Sequence, residues 1–229
     1  MALFRGTLIG QASGSVAGNT FSRNRGGQYI RNRAVPVNPN SPQQVAVRNA
    51  LSQLSTAWGQ SLTATQRMDW DVYAQNVPVL NRLGDIITLT GFNMYIRCNT
   101  PRLQAGLSRI DDGPSVFDLG SFTPVTTLVV AANDTVTVSF TNTDDWANET
   151  GAAMLVYISR SLSQTINFFK GPFRFGTNID GDDTTAPTSP VVVNSPFTVA
   201  ASQQVFTRVT VTRADGRLSN EQIVAGIAT

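Results

Sequence analysis

The sequence contains no histidine, a single cysteine (Cys98) and a single lysine (Lys170). Without histidine the chain lacks the commonest general base and the commonest metal ligand. A lone thiol rules out an intrachain disulfide and a Cys–His catalytic pair, and the chain does not read as a disulfide-stapled secreted scaffold. Cys98 lies among aromatic and aliphatic residues, where a free cysteine packs as a small hydrophobe. Lys170, in "FFKGPFRF", reads as a solvated strand or loop position. No apolar run approaches a membrane span, and "MALFRGTLIGQASGSVAG" lacks the apolar core of a signal peptide. No phosphate-binding glycine loop is present. These absences read against an enzyme, a cofactor and a membrane partner.

Charge is also scarce. Charged residues make up 14% of the 229 and hydrophobic residues 41%, a balance that suits a folded chain with part of its surface covered by neighbours. The net charge of +2 conceals two unlike halves. Residues 1–110 carry eleven arginines against Asp69, Asp71 and Asp85, a net of +8. Residues 111–229 carry five arginines and Lys170 against twelve acids, a net of −6. Such asymmetry points to partners of opposite sign for the two halves.

Three regions follow. Residues 1–40 read as an extended arm with short strand-like pieces, "TLIG", "TFSR" and "QYIR". Asn24-Arg25-Gly26-Gly27 supplies a hairpin turn. In "AVPVNPNSP", prolines 36, 39 and 42 hold the chain extended. Residues 41–112 read as a small helical unit. Ser41-Pro42-Gln43-Gln44 and Thr63-Ala64-Thr65-Gln66 are helix starts of capping-box type. Val47, Leu51, Leu54 and Trp58 mark the first apolar face, and Trp70, Tyr73 and Val77 the second. A third helix is expected from about Gly91 to Asn99, with Phe92, Tyr95 and Ile96 inward and Pro101 ending or kinking it. Residues 113–229 contain about seven short β-type runs divided by turn clusters, the last hairpin turning at Asp215-Gly216. That spacing predicts an immunoglobulin- or fibronectin-like antiparallel sandwich. The expected class is α+β: a β-hairpin arm, a helical unit and a separate β-sandwich.

"FSRNRGGQYIRNR", residues 21–33, holds four arginines and no acid. The partner-binding residues read from it are Arg23, Arg25, Gly26, Gly27, Tyr29, Arg31 and Arg33. Arginine forks suit protein carboxylates and carbonyls as well as phosphate. Nucleic acid would use the arginines on phosphates and Phe21 or Tyr29 for stacking. The stretch has few aromatics, a hairpin divides its arginines between two faces, and a proline-rich extension follows. An arm lying on another protein is the preferred reading, and nucleic acid stays as the alternative. Asp180, Asp182 and Asp183 offer oxygen ligands of the kind Ca²⁺ takes, without the EF-hand spacing; a solvated loop is preferred.

The stretch "GSVAGNTFSRNRGGQYIRNRAVPVNPNSPQQVAVRNAL" resembles a family of uncharacterised proteins of tailed phages and prophages. Their N-termini carry Gly-Ser-x-Gly-Gly, Ser-Arg-Asn-Arg-Gly-Gly and Pro-x-Asn-Pro-x-Thr-x-x-Gln. The resemblance continues through "LTATQRMDWDVYA", "LTGFNMYIRCNTPRLQAGL" and "RADGRLSNEQIV". Val16-Ala17-Gly18 stands where the family more often has two glycines. The resemblance implies a virion structural protein made in the host cytoplasm, with major capsid or tail subunits as partners and copies of itself as neighbours. Capsid decoration or cement is the first expectation, and a tail or neck component the second. The resemblance supplies no catalytic residue and no cofactor.

Overall fold

The computed structural model describes residues 2–3, 12–24, 27–80, 85–130 and 133–229. The chain divides into a small unit, Met1–Ser41, and a larger one, Pro42–Thr229.

In the small unit β1 (Ala2–Leu3), β2 (Gly14–Val16), β3 (Asn19–Asn24) and β4 (Gly27–Asn32) form an antiparallel sheet in the order β1-β4-β3-β2. The expected hairpin is its centre, pairing Asn24 with Gly27 and Thr20 with Arg31. Arg25, Gly26 and the "TLIG" piece lie outside the described residues. After β4 the chain runs without regular structure to Ser41.

The larger unit begins with α1 (Pro42–Thr56), a π-helical turn (Ala57–Ser61), α2 (Ala64–Asn76), β5 (Val79–Leu80), β6 (Ile86–Ile87) and α3 (Gly91–Gln104). The capping box at Thr63 is present: its Oγ1 accepts from the Gln66 amide at 3.2 Å, and the Thr63 amide donates to Gln66 Oε1 at 2.8 Å. The buried face of α1 differs from the expected one. Ala50 and Leu54 turn inward, while Val47 and Leu51 are exposed. Residues 42–49 are exposed throughout, and the buried residues of α1 fall in its C-terminal half. Trp70 and Tyr95 anchor the helical core with ring centroids 5.5 Å apart, joined by Met94, Cys98 and Tyr73. Gly91 permits a close crossing, since a Cβ there would lie 2.7 Å from the Asp71 backbone nitrogen.

α3 does not stop at Pro101 but continues to Gln104. The extra turn is held by Arg102, whose guanidinium reaches out of the helix into the sandwich. Nη1 donates to Thr212 Oγ1 at 3.0 Å and to the Arg213 carbonyl at 2.9 Å. Nη2 donates to the Gly151 carbonyl at 3.3 Å and Nε to that of Ser108 at 3.0 Å. Burial holds this guanidinium's pKa below its usual value. These bonds offset the loss of the amide donor that proline lacks.

The sandwich contains β7 (Thr126–Val130), β8 (Thr135–Ser139), β9 (Ala153–Ser159), β10 (Leu162–Ser163), β11 (Phe173–Asp180), β12 (Val191–Asn194), β13 (Gln203–Thr212) and β14 (Gln222–Ile227). One sheet runs β12-β8-β7; in the other β13 lies between β14 and β9, with β11 beyond β9. All these ladders are antiparallel. With the two-residue β10 set aside, strands one, two and five face strands three, four, six and seven, an immunoglobulin/fibronectin-like division. Val129, Val136, Val138, Trp146, Val156 and Val209 contribute to the core between the sheets.

The helical layer and the sandwich share one compact unit. Every residue of β9 is buried, because its outer side chains Ala153, Leu155 and Tyr157 pack with Ala105 and Leu107 after α3. Two-sided cover explains why "AMLVYIS" does not alternate. The tip of the β13–β14 hairpin closes the junction: Gly216, at φ +93°, lies against Ile110 and Trp70, and Leu218 packs on the helical core. The boundary expected at 112/113 therefore falls inside a continuous packed body, and the sandwich is not separate from the helices.

Candidate partner-binding surface

The arm's register fixes where its side chains go. Residues directly opposite in an antiparallel ladder share a face. Phe21 opposite Ile30 and Arg23 opposite Gln28 lie on one face; Ser22 opposite Tyr29 and Thr20 opposite Arg31 lie on the other. Arginines thus emerge from both faces of the sheet. Phe21, Tyr29 and Ile30 are only half-buried, since one sheet cannot cover both of its own faces.

Arg23, Arg31 and Arg33 are exposed, and none is paired with a carboxylate among the described residues. The composition enforces this within the arm, because residues 1–41 contain no acid and the first in the chain is Asp69. Arg33 is tied by its backbone, its amide donating to the Gly18 carbonyl at 2.8 Å. A hollow of about 330 Å³ beside Arg23 and Gln28 is lined also by Ala12 and Ser13. Gly27 takes φ +117°, a conformation that favours glycine. Arg25 and Gly26 lie outside the described residues, so five of the seven expected site residues are placed: Arg23, Gly27, Tyr29, Arg31 and Arg33. Beyond the sheet, Val35 is 76% and Val37 90% exposed, two β-branched apolar side chains on a proline-spaced extension.

Other candidate chemistry is dispersed. Cys98 is buried, and desolvation pushes its thiol up to about 12. Lys170 is exposed. In the acidic loop, Asp182 Oδ1 accepts from the Thr184 amide at 2.8 Å, and Asp183 Oδ1 accepts from the Thr150 hydroxyl at 2.8 Å. Those hydroxyl bonds hold the Asp183 carboxyl below its usual range. Asp180 accepts from the Asn178 amide. Among the described residues no three histidine, cysteine or acidic side chains converge on a metal-sized site, and no helix is long and apolar enough to cross a membrane.

Sequence reasoning missed the inward arginines. Arg213 Nε meets Glu149 and its Nη1 meets the Leu119 carbonyl; Arg217 Nε meets Asp215 at 2.7 Å and its Nη1 the Asp118 carbonyl. The stretches "NTPRLQ" and "RADGRLSN" carry no local sign that their arginines point inward.

No protein-family model matches this chain, and no curated protein matches it. Among solved structures, one described as a Fn3-like protein from Clostridium thermocellum is similar over 49% of this chain and 96% of its own, at 11% identity and a TM-score of 0.32. At that score the likeness adds nothing to the strand order read from the hydrogen bonds.

Proposed function

We propose that the chain is a structural protein of a tailed-phage virion, a capsid decoration or cement protein that docks through its N-terminal arm on other virion proteins. The observation that carries this reading is the arm itself: an acid-free single sheet with exposed Arg23, Arg31 and Arg33, none paired with a carboxylate among the described residues, followed by exposed Val35 and Val37. A surface with cationic forks and no anions of its own is complemented by carboxylates and carbonyls of a neighbour. The resemblance of residues 14–51 to phage proteins supports the same reading. A tail or neck position uses the same arm. No catalytic step and no cofactor belong to this reading: the one thiol is buried and the one lysine is solvated.

Nucleic acid is the second reading, favoured by the excess of arginine. Arg23 and Arg31 on opposite faces of one sheet weigh against it, because a single strand tracking one groove meets only one of them. Quantitative mass spectrometry of purified particles tests the first reading. Hundreds of copies per particle are expected for capsid decoration, and a handful would move the protein to neck, baseplate or fibre. Absence from particles, with DNA or RNA binding that falls steeply with salt, would replace the proposal by the second reading.

A further inference from the structure

A groove in the larger unit carries its own chemistry. Two adjoining hollows, of about 150 and 210 Å³, share Arg97, Leu218 and Ser219 as walls, so they are one groove along α3. The smaller is walled by Tyr73, Val77 and Phe117, the larger by Gln104, Tyr157 and Arg208.

The Arg97 and Arg208 guanidinium groups and the Glu221 carboxylate share the walls of the larger hollow. Arg208 stacks over Tyr157 at 4.3 Å and over Phe173 at 5.3 Å, and its Nη1 donates to Glu221 at 2.9 Å. Its Nε is shielded from solvent and has no hydrogen-bond partner among the described residues. Arg97 is half-buried, and its guanidinium meets only Met94 Sδ, at 4.0 Å, among the described residues. A partly desolvated arginine without an acceptor is costly, and an anion placed against it recovers charge-assisted hydrogen bonds. The hollow of about 210 Å³ has room for an acidic side chain. The hollow alongside is of mixed character, with Arg217 and Asn220 beside Tyr73, Val77 and Phe117.

We propose that this groove receives the Asp180–Asp183 loop of a second copy of the chain. The loop has the complementary charge: Asp180, Asp182 and Asp183 are all exposed. None of the three acids forms an ion pair among the described residues. Groove and loop are different patches, and each copy gives a loop and receives one, reciprocally in a closed pair or head to tail. It requires neither the arm nor the virion assignment.

Sedimentation velocity of the full-length protein tests it with two charge-removing variants, Arg97→Gln and the double variant Asp182→Asn/Asp183→Asn. The asparagines keep the oxygen acceptors that the loop uses on Thr184 and Thr150. Wild type is expected to self-associate with rising concentration, and each variant to do so more weakly by at least about thirtyfold, as for loss of one partner of a shielded charge pair. Mixing the variants restores one contact only: an intact loop on the Arg97→Gln copy meets an intact groove on the other. The mixture should therefore associate as a heterodimer through that single contact, although neither variant alone does so. A monomeric wild type, or self-association that neither variant weakens, overturns the proposal. Circular dichroism melts matching wild type keep a folding defect from being read as lost contact.

Discussion

Arg23, Arg31 and Arg33 in the arm are exposed and face no carboxylate among the described residues, whereas Arg102, Arg213 and Arg217 in the larger unit are sunk against carbonyls and acids. One residue type does two jobs. Inside, the planar fork joins elements that are distant in sequence, with Arg102 reaching residues 110 and 111 positions away. Outside, the same fork faces no carboxylate among the described residues, and residues 1–41 contain no acid to supply one. The difference also corrects the charge ledger. Part of the +8 of the first half is consumed internally by Arg102, whereas Glu149 and Asp215 pair with Arg213 and Arg217 of their own half and leave its −6 unchanged. The arm is consequently a larger fraction of the outward-facing positive charge than composition suggests.

The comparison breaks most visibly at Arg102. Truncation to alanine leaves three carbonyls and the Thr212 hydroxyl short of a donor, and should cost about 3–4 kcal/mol in urea unfolding of the whole chain. Lysine, with a point charge instead of a fork, should recover less than half of that. A loss near zero would mean that α3 and the sandwich are not riveted there. Gly216→Ala should cost about 1–2 kcal/mol, because the position holds φ +93°.

A smaller effect comes from the buried thiol. Burial raises Cys98 from 9.0 to about 12, so the native state holds that proton more tightly than the unfolded chain. Its contribution is intact below the ordinary value and is lost as pH rises from about 9 towards 12. Buried Tyr73 and Tyr95 are raised in the same direction. Urea midpoints should therefore fall between mildly and strongly alkaline buffer, and Cys98→Ala should make that fall shallower. The native thiol should also resist a thiol reagent at neutral pH. At the other extreme, changing Arg23, Arg31 and Arg33 together to glutamine should shift unfolding by no more than about 0.5 kcal/mol, since surface side chains without partners contribute little.

Much of the architecture was legible because its causes are local. "TVTVS" alternates and forms β8 with alternating burial. Thr63 and Gln66 spell a capping box and form one. Asp215-Gly216 reads as a turn and is one. What stayed hidden depends on partners remote in sequence. Val47 and Leu51 show helical spacing, but spacing does not reveal that both side chains stay exposed. Pro101 reads as a stop, and only Arg102's bonds to the sandwich explain the further turn. In the arm the hairpin was visible, while the four-stranded sheet around it needed β1 and β2, too short to carry a pattern. The basic stretch was legible as a surface; which arginines emerge from which face required the register.

The central claim is that the arm's arginines serve docking and not folding. The most direct test is particle incorporation of the full-length chain carrying Arg23→Gln, Arg31→Gln and Arg33→Gln together, scored by mass spectrometry of purified particles beside wild type. The account predicts a normally folded protein that is lost from particles. A triple variant that enters particles at the wild-type copy number would contradict it.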